Sequence, residues 1–147
     1  MKLRPRLLLL SLRLVLGGVM VWAGATKIFG AAHFVDTVAA YDILPRLLIT
    51  PVAVILPWLE LFVGLGLLLG LWTRSNALLA VLLLSTFGLA LIINLYRDVD
   101  ISCGCFGVDP SRGSLNTALA QDSLLLALAL MVLLSRHTPF SLDEYLL

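Results

Sequence analysis

The amino-acid sequence predicts an all-α membrane protein in which four transmembrane helices form one bundle. Of the 147 residues, 61% are hydrophobic and only 13% are charged, whereas a soluble domain has an apolar share of roughly 45–50%. Four stretches each approach the roughly 20 apolar residues that a helix needs to cross a bilayer. Barrel strands are not expected, because no segment shows their alternating pattern and because helices satisfy their own backbone hydrogen bonds in lipid.

The spans are predicted at residues 7–29, 47–71, 76–96 and 115–135 of a single membrane domain. The first begins with a basic segment and a leucine run that imitate a cleaved secretory signal. We expect it to be uncleaved, because the apolar run continues past Arg13 to about Phe29, which is nearly a full span. Residues 33–43 carry apolar side chains at helical spacing and predict a short amphipathic helix at the membrane interface.

The basic residues predict that both termini of the four-helix bundle are cytoplasmic. Six Lys or Arg residues lie on the side of the termini and four on the opposite side, and cytoplasmic segments carry the excess. The loop at residues 97–114 is therefore expected to face the periplasm from a multi-pass protein of the inner membrane. The lipid bilayer is an expected partner. A net charge of +1 argues against a nucleic-acid partner.

The sharpest chemical feature is the pair Cys103 and Cys105, which are the only cysteines in the sequence and lie in that polar loop. Separated by Gly104, they can close only a small ring with each other. Strained or exposed disulfides exchange readily. Three alternatives remain open: reduced bystander thiols, a two-coordinate site for a soft metal, and a structural clip. Zinc is less favoured still, because it usually takes three or four protein ligands.

Glu60 is predicted near the middle of the second span, where an ionisable side chain is costly and indicates function. On an antiparallel alignment, Arg13 of the first span falls about one helical turn from the depth of Glu60. A buried Arg13–Glu60 ion pair that locks two helices and a proton-handling role for Glu60 are equally favoured. Pro51 and Pro57 free backbone carbonyls in this span and could open a ligand crevice beside Glu60.

Lys27 ends the first span on the same side as the cysteine loop. Its ammonium could lower the pKa of a thiol or hold a quinone oxygen, but reaching out to lipid headgroups is the favoured alternative.

Arg13, Tyr41 and Asn94 are candidate cofactor-binding residues, and the last two could converge with Asp36 beside the cysteines. Each alone more often anchors an interface or bonds a neighbouring helix. Trp58, beside Glu60, is a further candidate cofactor contact, and its ordinary alternative is a position in an aromatic belt or the core.

Many of these residues belong to an ordered set along the chain: Arg13, Gly17, Ala23-Gly24 with Lys27, Tyr41 with Leu44-Pro45, Leu56-Pro57-Trp58-Leu59-Glu60-Leu61 with Gly64, and Cys103-Gly104-Cys105-Phe106-Gly107. This set resembles the MauE/DoxX-like family of membrane proteins over nearly the whole chain, and its most specific part is the CGCFG block. The resemblance implies a four-helix bundle with Cys103 and Cys105 at its reactive end. It also implies a link to the maturation of disulfide-rich periplasmic enzymes such as methylamine dehydrogenase, or to thiol, sulfur and quinone metabolism.

We therefore expect a membrane thiol-disulfide oxidoreductase or redox component in which one cysteine attacks and the other resolves. In this hypothesis Lys27 tunes the thiolate, and Glu60 with Arg13 organises the bundle or moves a proton. Electrons pass to or from a quinone or a partner dithiol, and no stable metal is expected.

DsbB and vitamin K epoxide reductase relay electrons between two cysteine pairs, but this chain has one pair. A thioredoxin-fold or other disulfide-bearing periplasmic protein is therefore the expected partner. The alternatives are a carrier or transporter of soft metals or sulfur species that uses the same thiols, and a non-catalytic membrane assembly factor.

Overall fold

The computed structural model describes residues 3–97 and 115–135, and this part of the chain forms five α-helices and no strand. They are α1 (Leu3–Phe29), α2 (Ala31–Ala40), α3 (Arg46–Leu69), α4 (Thr73–Tyr96) and α5 (Leu115–Leu134). All but α2 are long and apolar enough to cross a membrane. The prediction of an all-α protein with four spans is confirmed.

The joint between α3 and α4 is shorter than the sequence suggested. Gly70 has a φ of 70°, a left-handed conformation that ends α3 without the strain a side chain would add. Its neighbour Leu71 donates a backbone hydrogen bond to Gly66, and its carbonyl accepts one from the Asn76 side chain at 2.6 Å. Because these contacts complete the turn before Thr73, α4 begins at this residue, three residues before the predicted start of the span.

The four long helices pack as a closed ring in which α1 contacts α3, α3 contacts α4, α4 contacts α5, and α5 contacts α1. Each neighbour in this ring runs antiparallel to the next. The upper end of the bundle is the side that holds the C-termini of α1 and α4 and the N-termini of α3 and α5. The core between the helices is built from apolar side chains such as Leu16, Val63, Leu67 and Leu84.

Glycines set the close contact and the register of α1 against α3, the most extensive helix pair in the bundle. A Cβ atom on Gly24 would lie 2.8 Å from the Pro57 carbonyl oxygen, and one on Gly64 would lie 2.7 Å from the backbone nitrogen of Val21. The backbones therefore touch where side chains are absent, as in small-residue contacts of membrane helices. This register places Gly24 opposite the turn of α3 that runs from Pro57 to Leu61.

The predicted amphipathic helix is present as α2, which lies between α1 and α3 in the chain and covers the upper end. It buries Phe34 and Val38 against Ala53 of α3. Arg97, at the end of α4, donates hydrogen bonds to the backbone carbonyls of Tyr41 at 3.4 Å and Asp42 at 3.2 Å. The apolar face of α2 thus packs into the protein, and its C-terminal end is tied to α4.

Candidate functional site

A buried ion pair between Lys27 and Glu60 joins α1 to α3. The Lys27 Nζ donates to both carboxylate oxygens, at 2.7 Å to Oε1 and 2.8 Å to Oε2. The two side chains are only 4% and 3% exposed. Side chains of a helix tilt toward its N-terminus, so in this antiparallel pair Lys27 tilts away from the upper end and Glu60 tilts toward it. The two charges therefore converge inside the bundle.

Glu60 pairs with Lys27, so the Arg13–Glu60 pair, one of two equally favoured alternatives from the sequence, is wrong. Arg13 lies fourteen residues before Lys27, which is ~21 Å along the axis of α1. The glycine contacts place Glu60 opposite the turn of α1 near Gly24, and both Arg13 and Glu60 tilt away from each other. Arg13 is itself buried, further toward the lower end of the bundle.

The ammonium of Lys27 also contacts two aromatic rings. It lies 4.4 Å from the centroid of the Phe87 ring on α4 and 5.4 Å from that of Phe34 on α2. Both distances fall within the range of cation–π attraction. Lys27 therefore points into the protein and is covered by α2, which contradicts the favoured alternative that it extends to the lipid headgroups.

Asp122 of α5 is a further buried ionisable side chain near the Lys27–Glu60 pair. It is 8% exposed, and the charge of Lys27 acts on its carboxylate. A Cβ atom on Gly88 of α4 would lie 2.7 Å from the Asp122 Oδ2, so the absence of a side chain at Gly88 makes room for this carboxylate. Gly88 directly follows Phe87, the ring that contacts Lys27, and this agrees with the influence of Lys27 on Asp122.

A cavity of about 340 Å³ lies at the upper end between α2, α3 and α4. Its lining is almost entirely apolar and includes Phe34, Tyr41, Val52, Leu56, Phe87 and Ala90. The hydroxyls of Thr37 and Thr86, also in the lining, donate within their own helices to His33 and Leu82. Because Phe34 and Phe87 both line the cavity and contact Lys27, the ammonium end of the ion pair lies directly behind the cavity wall.

The structure brings part of the predicted polar set to this cavity. Tyr41 is buried and lines it, whereas Asp36 is exposed on the outside of α2. Asn94 is 1% exposed and donates to the Ala90 carbonyl at 2.9 Å, within its own helix. Trp58 is 47% exposed on the outer surface of α3, where its ring packs beside Phe62. The structure therefore keeps Tyr41 as a cavity residue and places Trp58 away from the cavity.

Cys103 and Cys105 lie outside the described residues, within the segment 98–114 that joins α4 to α5. Their disulfide chemistry stays a prediction. The described ends of the flanking helices, Tyr96 and Leu115, are both at the upper end.

Reasoning from the sequence missed Asp122, although a signal was present. It is the only Asp or Glu in the 19-residue span Asn116–Leu134, and a lone carboxylate in such a span is a candidate functional residue. The cavity had a weaker signal in Pro51 and Pro57. The α3 residues that line it, Val52 and Leu56, lie between these prolines.

A family model described as methylamine utilisation protein MauE matches residues 5–135 of this chain. The relatives that match this chain carry the name methylamine utilization protein MauE. The one from Paracoccus denitrificans is 32% identical over 141 residues, which cover 94% of this chain and 76% of that protein. The one from Paracoccus versutus is 33% identical over 121 residues, covering 82% and 65%. The one from Methylorubrum extorquens is 38% identical over 85 residues, covering 57% and 46%.

The alignments with the Methylorubrum extorquens and Paracoccus versutus proteins span about half to two thirds of those proteins' length. No solved structure matches the chain. The family match covers all four membrane-crossing helices and the segment that holds both cysteines. The chain therefore belongs to the MauE family of methylamine utilisation proteins.

Proposed function

We propose that this protein is a membrane redox component that exchanges thiols and disulfides through Cys103 and Cys105 and is linked to a membrane quinone. The observation that carries the proposal is the apolar cavity at the upper end, with the ammonium of Lys27 behind its wall. The cysteine segment joins the helix ends at this same end of the bundle. A redox-active loop and a ligand cavity would then lie close together.

The chemistry of the cavity fits a flat apolar ring. Ligand cavities are commonly about 300–1,000 Å³ and mostly apolar, with few polar groups to fix orientation. The Phe34 and Phe87 rings offer faces for stacking. The ammonium of Lys27 is the positive end of the Lys27–Glu60 pair and lies against these rings. Its positive potential would stabilise a ligand oxygen that gains negative charge inside the cavity.

A thiolate of a partner protein attacks the Cys103–Cys105 disulfide and forms a mixed disulfide, and a second partner thiol then releases the chain as a dithiol. The partner loses two electrons, and the cysteine pair gains them. A bound quinone would supply an acceptor for the two electrons and two protons that the dithiol must lose to become a disulfide again. The same steps in reverse reduce a partner disulfide.

The partner that fits this chemistry is a thioredoxin-fold or other disulfide-bearing protein of the periplasm. The relatives are named for methylamine utilization, and maturation of a disulfide-rich enzyme of that process would use such an exchange. With the cysteine loop on the periplasmic side of the inner membrane, the thiols could reach this partner.

The first test is labelling of intact cells with a membrane-impermeant maleimide, with and without prior reduction and again after permeabilisation. Labelling of Cys103 and Cys105 only after reduction is expected for a periplasmic disulfide. Labelling without reduction would favour a thiol carrier, most clearly if the reduced protein also retained stoichiometric soft metal. Labelling only after permeabilisation would contradict the proposed orientation.

The second test is quinone-dependent oxidation of a model dithiol by the purified protein in lipid nanodiscs. Cys103→Ser and Cys105→Ser should each abolish turnover while the helical content stays unchanged. Ala90→Phe should fill the cavity and raise the KM for quinone. Ala127→Phe makes the same change on the exposed face of α5 and is its control. Turnover retained in both cysteine variants would refute the oxidoreductase assignment, and equal KM values in the two alanine variants would refute the quinone site.

A further inference from the structure

Three buried ionisable side chains lie on three different helices, and the charge of Lys27 acts on the other two. Lys27 of α1 holds Glu60 of α3 through two hydrogen bonds. Asp122 of α5 lies against Gly88 and within the influence of the Lys27 charge. All three are at most 8% exposed, so they share a buried environment in which unbalanced charge is costly.

The charges of this cluster do not balance when every group is ionised. Lys27 contributes one positive charge, and Glu60 and Asp122 together contribute two negative charges. Arg13, the other buried cation of α1, is ~21 Å along the helix from Lys27, and Lys27 is the cation whose charge acts on both carboxylates. By sequence, α4 carries no charged residue between Arg74 and Arg97, and the ionisable residues of α2, His33 and Asp36, are exposed.

We propose that Lys27, Glu60 and Asp122 form a buried proton-binding site in which Asp122 holds one exchangeable proton. One proton makes the cluster neutral. Glu60 is the poorer carrier, because both of its oxygens accept short hydrogen bonds from Lys27 and these favour the ionised carboxylate. Asp122 interacts with Lys27 at longer range, so its protonation costs less attraction.

The site goes beyond the proposed redox function, since it requires neither the cysteines nor a quinone. Its position nevertheless connects it to the cavity. Phe87 lies between the proton-binding site and the cavity, because it lines the cavity, contacts Lys27 and precedes Gly88. A proton released or taken up at Asp122 would therefore change the net charge directly behind the cavity wall.

Infrared difference spectroscopy of the full chain in nanodiscs tests the proposal, because a protonated carboxyl has a C=O band that shifts in D2O. At neutral pH the wild-type protein should show this band, and Asp122→Asn should lack it. Glu60→Gln should also lose the band, since Lys27 and an ionised Asp122 then balance without a proton. Asp36→Asn, on the exposed face of α2, is the matched control and should leave the band unchanged.

A band that persists in Asp122→Asn or in Glu60→Gln would overturn the proposal, as would its absence from the wild-type protein. Gly88→Ala provides a variant that keeps all three charges, because its Cβ displaces only the flexible end of Asp122. The band should shift in frequency in this variant, and an unshifted band would count against Asp122 as the carrier. The double variant of Cys103 and Cys105 should keep the band, which separates this proposal from the redox function.

Discussion

Replacing Lys27 with Met removes the cation of the buried pair and leaves Glu60 inside the bundle without it. Exposed ion pairs contribute about 0–1 kcal/mol, whereas loss of one partner of a buried pair costs about 3–5 kcal/mol. The exposures of 4% and 3% place this pair in the second class. Polar contacts in membranes can be weaker than this, because the unfolded state in lipid also finds partners. We therefore expect a loss of about 3 kcal/mol in the free energy of unfolding.

The measurement is reversible unfolding in mixed micelles, with increasing SDS and helical circular dichroism as the signal. Met has nearly the length of Lys without its charge, so the variant isolates the charge from the packing. The double variant Lys27→Met with Glu60→Met is the control. Because apolar side chains of similar size can replace a buried pair at little cost, its stability should return to within about 1 kcal/mol of the wild type.

Two results would refute this reasoning. A loss below about 1 kcal/mol in Lys27→Met would mean that the pair behaves like an exposed one. A double variant as unstable as the single variant would mean that the loss of stability arises from packing around α1 and α3. It would then not arise from the Glu60 carboxylate that lacks its cation.

Three further predictions use the same unfolding measurement or amide exchange. Gly64→Ala should lower the free energy of unfolding by about 1–3 kcal/mol, because its Cβ would lie 2.7 Å from the backbone of α1. The control Gly18→Ala, whose Cβ would have nothing within 4 Å, should change this free energy by no more than about 1 kcal/mol. Equal losses in the two variants would contradict the close contact between α1 and α3. Trp58→Leu should cost less than about 1 kcal/mol, as expected for a surface position; a larger loss would mean that the ring is buried against another surface. Arg97→Ala should speed amide hydrogen exchange in α2, since Arg97 ties the chain at Asp42 to α4, and unchanged exchange would show that this tie is dispensable.

The number and nature of the helices could be predicted from the sequence, because span length and apolar content follow directly from the bilayer thickness. The start of α4 could not, because Thr73, Arg74 and Ser75 read as a polar joint. In the structure they form the first turn of the helix. The deciding feature is the left-handed conformation of Gly70, which completes the turn early. Local polarity alone does not reveal such a turn.

The charged residues of the candidate site were visible in the sequence, but their pairing was not. Arg13 and Lys27 were both available to Glu60, and the choice depends on the register of α1 against α3. That register is set by backbone contacts at Gly24 and Gly64, which an estimate of depth from span boundaries cannot resolve. Lys27 also looked like a helix-end residue because α2, which covers it, was expected at the interface.

Besides their place in the proton-binding site, Lys27 and Glu60 could act on the packing of the bundle or on the cavity, and measurements of stability and activity together can separate these two roles. If the pair only stabilises the packing of α1 against α3, the double variant Lys27→Met with Glu60→Met should be both folded and active, because its apolar side chains replace the ion pair. If the pair instead supplies positive potential to the cavity through Phe87 and Phe34, the same variant should fold normally and lose quinone-dependent turnover. Because a buried ion pair is weak evidence for stability, a folded but inactive double variant would show that these charges act on the contents of the cavity. A folded and active one would remove Lys27 and Glu60 from the mechanism and leave the cysteine pair to carry it.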